Sequence, residues 1–85
     1  MPTLNTRHKI GQNIRGYRKI LGLSQKEFAK LAAINNTYLA SVESGRKNVT
    51  IDTITRIAEV IGIPVHLLLV EGAFNWNKYG KNRFS

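Results

Sequence analysis

Apolar residues recur at intervals of three and four along most of this chain, the spacing that places them on one face of an α-helix. The first such segment predicts a helix from Thr6 to Leu21. Its apolar stripe consists of Ile10, Ile14, Tyr17 and Leu21. Gly11 and Gly16 each cost about 1 kcal/mol relative to alanine inside a helix, so we expect the first turns to fray. Gly22 is a typical helix end.

Two short helices are predicted next, joined by a tight turn. Ser24 and Glu27 have the spacing of a capping box, which predicts a helix from Gln25 to about Ala32. Asn35 can cap a third helix, which Gly45 ends. The inward residues of this third helix are Leu39, Val42 and Glu43. Its outward residues are small or polar and uncharged: Asn36, Thr37, Ala40, Ser41 and Ser44.

A fourth helix begins at Thr50 or Asp52 and ends at Gly62. Its apolar residues at helical spacing are Ile51, Ile54, Ile57, Ala58 and Ile61. Pro64 is suited to open a short fifth helix, from Val65 to about Val70. This last helix is apolar on nearly every side, and a small domain cannot cover all of it, which favours a subunit interface. The predicted interface residues are Val65, Leu68 and Leu69.

The outward face of the third helix is suited to reading base edges in the major groove of DNA. Asparagine can form two hydrogen bonds with adenine, serine and threonine can bond to several bases, and methyl groups can touch thymine. The predicted base contacts are Asn36, Thr37, Ala40 and Ser41. The alternative is an ordinary helical hairpin with a polar surface, since such hairpins are common.

Charge changes the balance between these alternatives. The 85 residues include 13 lysines and arginines but only five acids, for a net charge of +8 and a pI near 10.3. Such an excess favours a polyanionic partner, nucleic acid first and an anionic membrane surface second. The basic residues do not line one face of a single amphipathic helix, which argues against the membrane. A solvated surface without any partner is the remaining alternative.

Several classes of protein are disfavoured by what the sequence lacks. It contains no cysteine, which rules out disulfides and thiolate metal sites and fits a reducing cytoplasm. No apolar run is long enough to span a bilayer. No His–carboxylate pairing or glycine-rich phosphate loop indicates an enzyme, and His66 has no second ligand at metal-site spacing. We therefore expect a soluble cytoplasmic protein without catalytic residues, metal, cofactor or small-molecule ligand.

Spaced motifs along the chain point to one family. They are Arg18, Leu23-Ser24-Gln25-x-x-Phe28-Ala29, Tyr38-Leu39-x-x-Val42-Glu43-x-Gly45-Arg46 and Ile57-Ala58-x-x-Ile61-Gly62-Ile63. From about Ile10 to Leu69 the chain resembles the Cro/repressor-type (XRE) helix-turn-helix of bacterial and phage transcription regulators. The resemblance implies an all-α, compact five-helix bundle of the lambda-repressor-like DNA-binding type. Asn36-Thr37-Tyr38 and Asn48-Val49-Thr50-Ile51-Asp52 are also similar to the controller proteins of restriction–modification systems.

The resemblance also implies roles for particular residues. Arg18 would pair with Glu43. Without such a partner, Glu43 would place an unpaired charge on the inward face of the third helix. Gln25 would bond a phosphate and steady Asn36. The predicted contacts to phosphates or flanking groups are Gln25, Tyr38, Ser44, Arg46 and Lys47. Ala33 departs from the glycine usual in the turn, so the turn is either strained by roughly 1 kcal/mol or remodelled.

Together these observations predict a DNA-binding domain over residues 1–70 and a basic, aromatic tail over residues 71–85. The tail could stack on nucleic acid, fold over a dimer seam or be disordered. The predicted function is transcription regulation by a homodimer on an inverted-repeat operator in double-stranded DNA. A bacterial or phage-encoded restriction–modification controller is the first candidate. A phage-type repressor and an antitoxin that also binds its own promoter are the alternatives.

Overall fold

The computed structural model describes residues 3–70, with side chains from Thr6 onward. Every regular element in this range is a helix. In chain order the elements are α1 (Thr3–Ile20), α2 (Gln25–Leu31), α3 (Asn36–Glu43), α4 (Ile51–Ile61) and α5 (His66–Leu69). The predicted all-α bundle of five helices is therefore confirmed. The predicted tail, residues 71–85, lies outside the described residues.

A single core joins the five helices. α1 packs mainly against α3 and α5, while α2 packs against α3. The largest side chains that are fully buried in this core are Phe28, Ile14, Leu39, Ile57, Leu68 and Val42. They come from all five helices, so every helix contributes to the same core. Burial of this kind is the main source of helical stability in a small domain.

The capping box at the start of α2 is present as predicted. The Ser24 hydroxyl accepts a hydrogen bond from the Glu27 backbone amide at 3.0 Å, and the Glu27 carboxylate accepts one from the Ser24 amide at 2.8 Å. Hydrogen bonds from the Ser24 backbone and side chain lower the pKa of the Glu27 carboxyl below its usual value. The two bonds satisfy donors that a helix N-terminus otherwise leaves open.

Two further caps set the starts of α3 and α4. The Asn35 side chain accepts a hydrogen bond from the Tyr38 amide at 3.1 Å, as predicted. The Thr50 hydroxyl accepts one from the Thr53 amide, also at 3.1 Å. Of the two predicted starts for α4, Thr50 is therefore the cap, and Asp52 lies inside the first turn.

Two apolar residues that the spacing placed in the core are exposed instead. Ile51 is 78% exposed and Leu21 is 43% exposed. Ile51 is the first residue of α4, and side chains on a helix lean towards its N-terminus, so Ile51 projects past the end of the core. Leu21 follows the last residue of α1, and Gly22 directly after it has a φ of 74°, so the helix ends at this point.

Helix α5 is shorter than predicted, and the prediction that Leu68 lies in a subunit interface is wrong. The side-chain amide of Asn13 donates hydrogen bonds to the carbonyl oxygens of Leu68 at 3.0 Å and Val70 at 3.1 Å. These bonds hold the end of α5 against α1, and the Leu68 side chain is completely buried. Leu69 and Val70 are 47% and 49% exposed, while Val65 is half-buried against the core.

The turn between α2 and α3 keeps the left-handed conformation in spite of its alanine. Ala33 has a φ of 58°, the one positive φ among the described residues that are not glycine. Of the two outcomes expected for this turn, strain rather than remodelling is the one observed. α3 therefore leaves the turn in the geometry that a glycine would give.

Candidate nucleic-acid interface

Helix α3 has the two faces that its sequence predicts. Leu39, Val42 and Glu43 are buried. On the other side Asn36, Thr37 and Ser44 are exposed, and Ala40 and Ser41 are half-buried. The Ser44 hydroxyl donates a hydrogen bond to the Ser41 carbonyl oxygen at 3.0 Å. The accessible face thus presents amide, hydroxyl and methyl groups without a charge, the groups that read base edges.

An ion pair on the buried face of α3 connects it to α1. The Arg18 guanidinium contacts the Glu43 carboxylate through two nitrogens, Nε to Oε2 at 2.7 Å and Nη2 to Oε1 at 3.0 Å. Its remaining nitrogen, Nη1, donates to the Leu23 carbonyl oxygen at 2.8 Å. Both side chains are almost completely buried, so the pair is geometrically well defined and each charge depends on the other. The predicted Arg18–Glu43 contact is present.

Gln25 joins the same network, which the sequence did not predict. Its side-chain nitrogen Nε2 donates to Glu43 Oε1 at 3.0 Å, so Glu43 accepts from both α1 and α2. Among the described side chains no hydrogen bond joins Gln25 to Asn36, the contact that the family resemblance implied. Gln25 therefore positions α2 relative to α3, and its phosphate contact remains a prediction.

Tyr38 connects α3 to the segment of residues 44–50, called here the α3–α4 loop. The Tyr38 hydroxyl donates a hydrogen bond to the Asn48 carbonyl oxygen at 3.1 Å, and the ring is half-buried. The loop carries Arg46 and Lys47, both exposed, and contains no acidic residue. The structure thus brings the predicted base-reading face and the predicted phosphate-binding cations together through one tyrosine. Sequence reasoning missed this bond because its acceptor is a backbone carbonyl, which carries no sequence signal.

The same part of the chain offers little for other kinds of site. Within residues 3–70 no group of three histidine, aspartate or glutamate side chains could hold a metal ion. None of the described helices has the length and apolar character needed to cross a bilayer. His66, at the start of α5, is exposed. The outward face of α3 and the adjoining loop are therefore the candidate site.

Comparisons with known proteins give matches over most of the described range. Residues 14–68 match the family model described as Helix-turn-helix. The control protein C.SmaI of Serratia marcescens is 37% identical over 60 residues, which are 71% of each chain. The transcriptional regulator SinR of Bacillus subtilis is 38% identical over 63 residues, which are 73% of this chain but only 57% of SinR.

Solved structures agree with the sequence matches. The restriction–modification controller protein C.AhdI of Aeromonas hydrophila superposes with a TM-score of 0.71 at 34% identity, over 73% of this chain and 94% of that one. The N-terminal DNA-binding domain of Bacillus subtilis SinR superposes with a TM-score of 0.72 at 38% identity, over 75% of this chain and 94% of the domain.

Proposed function

This chain belongs to the XRE-type helix-turn-helix family of transcription regulators, and from that premise we propose that it binds a specific operator as a homodimer. The observation that carries the proposal is the uncharged polar face of α3 next to a basic loop. A reading surface needs short donors and acceptors, and its flanks need cations for phosphates. This chain has both within one connected surface.

Each half of the surface has a separate task. We assign base contacts to Asn36, Thr37, Ala40 and Ser41. Contacts to phosphates and flanking groups fall to Gln25, Tyr38, Ser44, Arg46 and Lys47. The phosphate contacts supply affinity that depends on salt and not on sequence. The base contacts supply discrimination of about 1–3 kcal/mol for each well-placed pair of hydrogen bonds.

The proposed dimer forms through the end of α5. Leu69 and Val70 are adjacent and about half exposed, beside the partly buried Val65. Burying them against a second copy contributes roughly 25 cal/mol per Å² of apolar surface, which offsets part of the entropy of association. Two-fold pairing of helix-turn-helix domains places the two reading helices about 34 Å apart, one turn of DNA, and so requires an inverted repeat.

Control of a restriction–modification system is the specific role we favour. C.SmaI is a control protein and C.AhdI is a restriction–modification controller, and each aligns with more than two thirds of this chain. The role predicts that the gene adjoins genes for a restriction endonuclease and its methyltransferase. A neighbouring toxin gene instead would favour the antitoxin alternative.

Selection of bound DNA from a random pool tests the proposed function. We expect the selected sequences to contain an inverted repeat with half-sites about one helical turn apart. Recovery of no common sequence, from a protein shown to be folded, would contradict sequence-specific binding. A single unrepeated half-site would contradict the dimer alone.

Two matched leucine variants test the dimer interface. Leu69→Glu places a charge on the proposed interface, whereas Leu31→Glu places one on α2, where the leucine is 61% exposed. In sedimentation at micromolar concentration we expect Leu69→Glu to be a folded monomer that has lost cooperative operator binding. Leu31→Glu should remain a dimer. A wild-type protein that sediments as a monomer would contradict this part of the proposal.

A further inference from the structure

A surface cleft of about 260 Å³ lies between the beginning of α1 and the α3–α4 loop. The residues that line it are Thr6, Arg7, Ile10, Val42, Lys47, Asn48 and Val49. Ile10 and Val42 are buried, whereas Lys47 and Asn48 are exposed. Two of the lining residues are cations and none is an acid. The cleft therefore has apolar walls and an unbalanced positive charge contributed from both of its sides.

Arg7 lacks the partners that a partly buried arginine normally has. Its Nε is shielded from solvent and has no hydrogen-bond acceptor, and the side chain as a whole is half-buried. An N–H group that is buried without an acceptor destabilises the fold. Lys47 adds a second positive charge to the same cleft, and like charges repel. An anion bound at the cleft would offset the repulsion between the two cations, and a guanidinium can offer several donors to one oxyanion.

The position of the cleft identifies the anion. Asn48 accepts the hydrogen bond of Tyr38 from α3 and also lines the cleft, as does Val42 of α3, so the cleft adjoins the reading helix. DNA whose bases meet α3 runs its phosphate backbone along the flanks of that helix. In the proposed function the loop with Lys47 is one such flank, and the cleft adjoins it.

We propose that one phosphate of the DNA backbone binds between Arg7 and Lys47, so that the beginning of α1 is part of the DNA interface. This inference rests on the proposed function and extends its footprint beyond α3 and the loop. Arg7 is then a phosphate-binding residue, and its contact adds affinity without adding sequence preference.

The experiment compares two charge-removing variants on operator DNA and on random DNA. Arg7→Gln removes the proposed contact, and Lys30→Gln removes one charge from the last turn of α2, outside the cleft. Each variant binds duplexes in which single phosphates of the operator are replaced, one at a time, by neutral methylphosphonates. Affinities are also measured between about 50 and 200 mM salt, where one released phosphate counterion changes binding by about 3.5-fold.

We expect Arg7→Gln to weaken binding to both DNAs equally and to reduce the salt-dependent loss of affinity by about 3.5-fold. One methylphosphonate position should weaken Arg7→Gln clearly less than it weakens the wild type, because only Lys47 then remains to bind that phosphate, while Lys30→Gln should keep the wild-type pattern. If Arg7→Gln does not fold, Arg7→Lys replaces it, and the same position should then matter less than in the wild type.

An Arg7→Gln variant with the salt dependence and methylphosphonate pattern of Lys30→Gln would overturn the inference and leave the proposed function intact. Wild-type protein that binds no DNA would instead overturn the proposed function. Added inorganic phosphate, at constant ionic strength, should not displace DNA. If millimolar phosphate binds the wild type in an Arg7-dependent manner and leaves the affinity for DNA unchanged, the cleft is a site for a free anion and the inference is wrong.

Discussion

Gly11 of α1 lies directly against the backbone of Glu43 at the end of α3. A Cβ atom built at Gly11 would stand 2.5 Å from the Glu43 carbonyl oxygen and 2.5 Å from that of Val42. Neither oxygen can move without moving the backbone of α3. Only glycine allows α1 to approach α3 this closely, and the close approach brings Arg18 within reach of Glu43.

Gly11→Ala should therefore destabilise the protein although it improves helix propensity. The gain in propensity is about 1 kcal/mol. We expect the clash to outweigh it and the net free energy of unfolding to fall by about 1–3 kcal/mol. Chemical denaturation measures the difference, and Gln12→Ala, at the exposed neighbouring position, should change stability by less than about 0.5 kcal/mol. A Gly11→Ala variant as stable as the wild type would show that α3 can shift freely.

Ala33→Gly should have the opposite effect and raise the free energy of unfolding. The left-handed conformation at φ 58° costs alanine roughly 1–2 kcal/mol, and glycine avoids this cost. Glycine also raises the conformational entropy of the unfolded chain, which lowers the free energy of unfolding by about 0.4–1 kcal/mol. The difference is a gain of roughly 0.5 kcal/mol in the free energy of unfolding. Ala40→Gly, inside α3, should instead lose about 1 kcal/mol. Destabilisation by both substitutions would contradict a strained turn.

The Arg18–Glu43 pair predicts strong coupling in a double-mutant cycle. Arg18→Met leaves a buried carboxylate with Gln25 as its remaining side-chain donor, and we expect a loss of about 3–5 kcal/mol in the free energy of unfolding. Adding Glu43→Leu should recover much of that loss, because neither charge then remains. Denaturant unfolding of the four proteins gives the coupling energy. Additive losses would mean that the two charges act independently.

Tyr38→Phe tests whether the hydroxyl acts through the α3–α4 loop. In the free protein the substitution removes the bond to Asn48, a net contribution of about 0.5–1.5 kcal/mol. We expect weaker binding to operator and random DNA alike, because the loop no longer holds Lys47 in place. In a Lys47→Gln background the effect of Tyr38→Phe should shrink. An equal loss in both backgrounds would mean that Tyr38 reaches DNA without the loop.

Local signals explain why much of the fold was predictable. The capping box of Ser24 and Glu27, the Asn35 cap and the apolar stripe of α4 each act within about one helix length. The predictions of burial that are wrong concern the ends of helices. Ile51 and Leu21 continue the apolar spacing there, but both side chains lie beyond the core and are exposed. Leu68 had the same apolar neighbours as Leu69, and only packing against α1 separates a core residue from an exposed one.

The sequence also predicts some parts of the candidate site and not others. The outward face of α3 follows from helical spacing, and the Arg18–Glu43 pair followed from the family resemblance. The contacts of Asn13 and Tyr38 with backbone carbonyl oxygens link residues 55 and ten positions apart and leave no trace in residue type. Gly11 shows why local sequence signals are not sufficient. This residue weakens α1 as an isolated helix, yet it permits the close packing of α1 against α3.

Specific reading of bases by α3 is the central claim, and Asn36→Ala tests it most directly. Asn36 is exposed in the first turn of α3, so its removal should leave stability nearly unchanged. Lys47→Gln is the control, and it should weaken binding to operator and random DNA equally. For Asn36→Ala we predict a loss of about 1–3 kcal/mol on the operator and almost none on random DNA. Equal losses on the two DNAs would contradict base reading by α3.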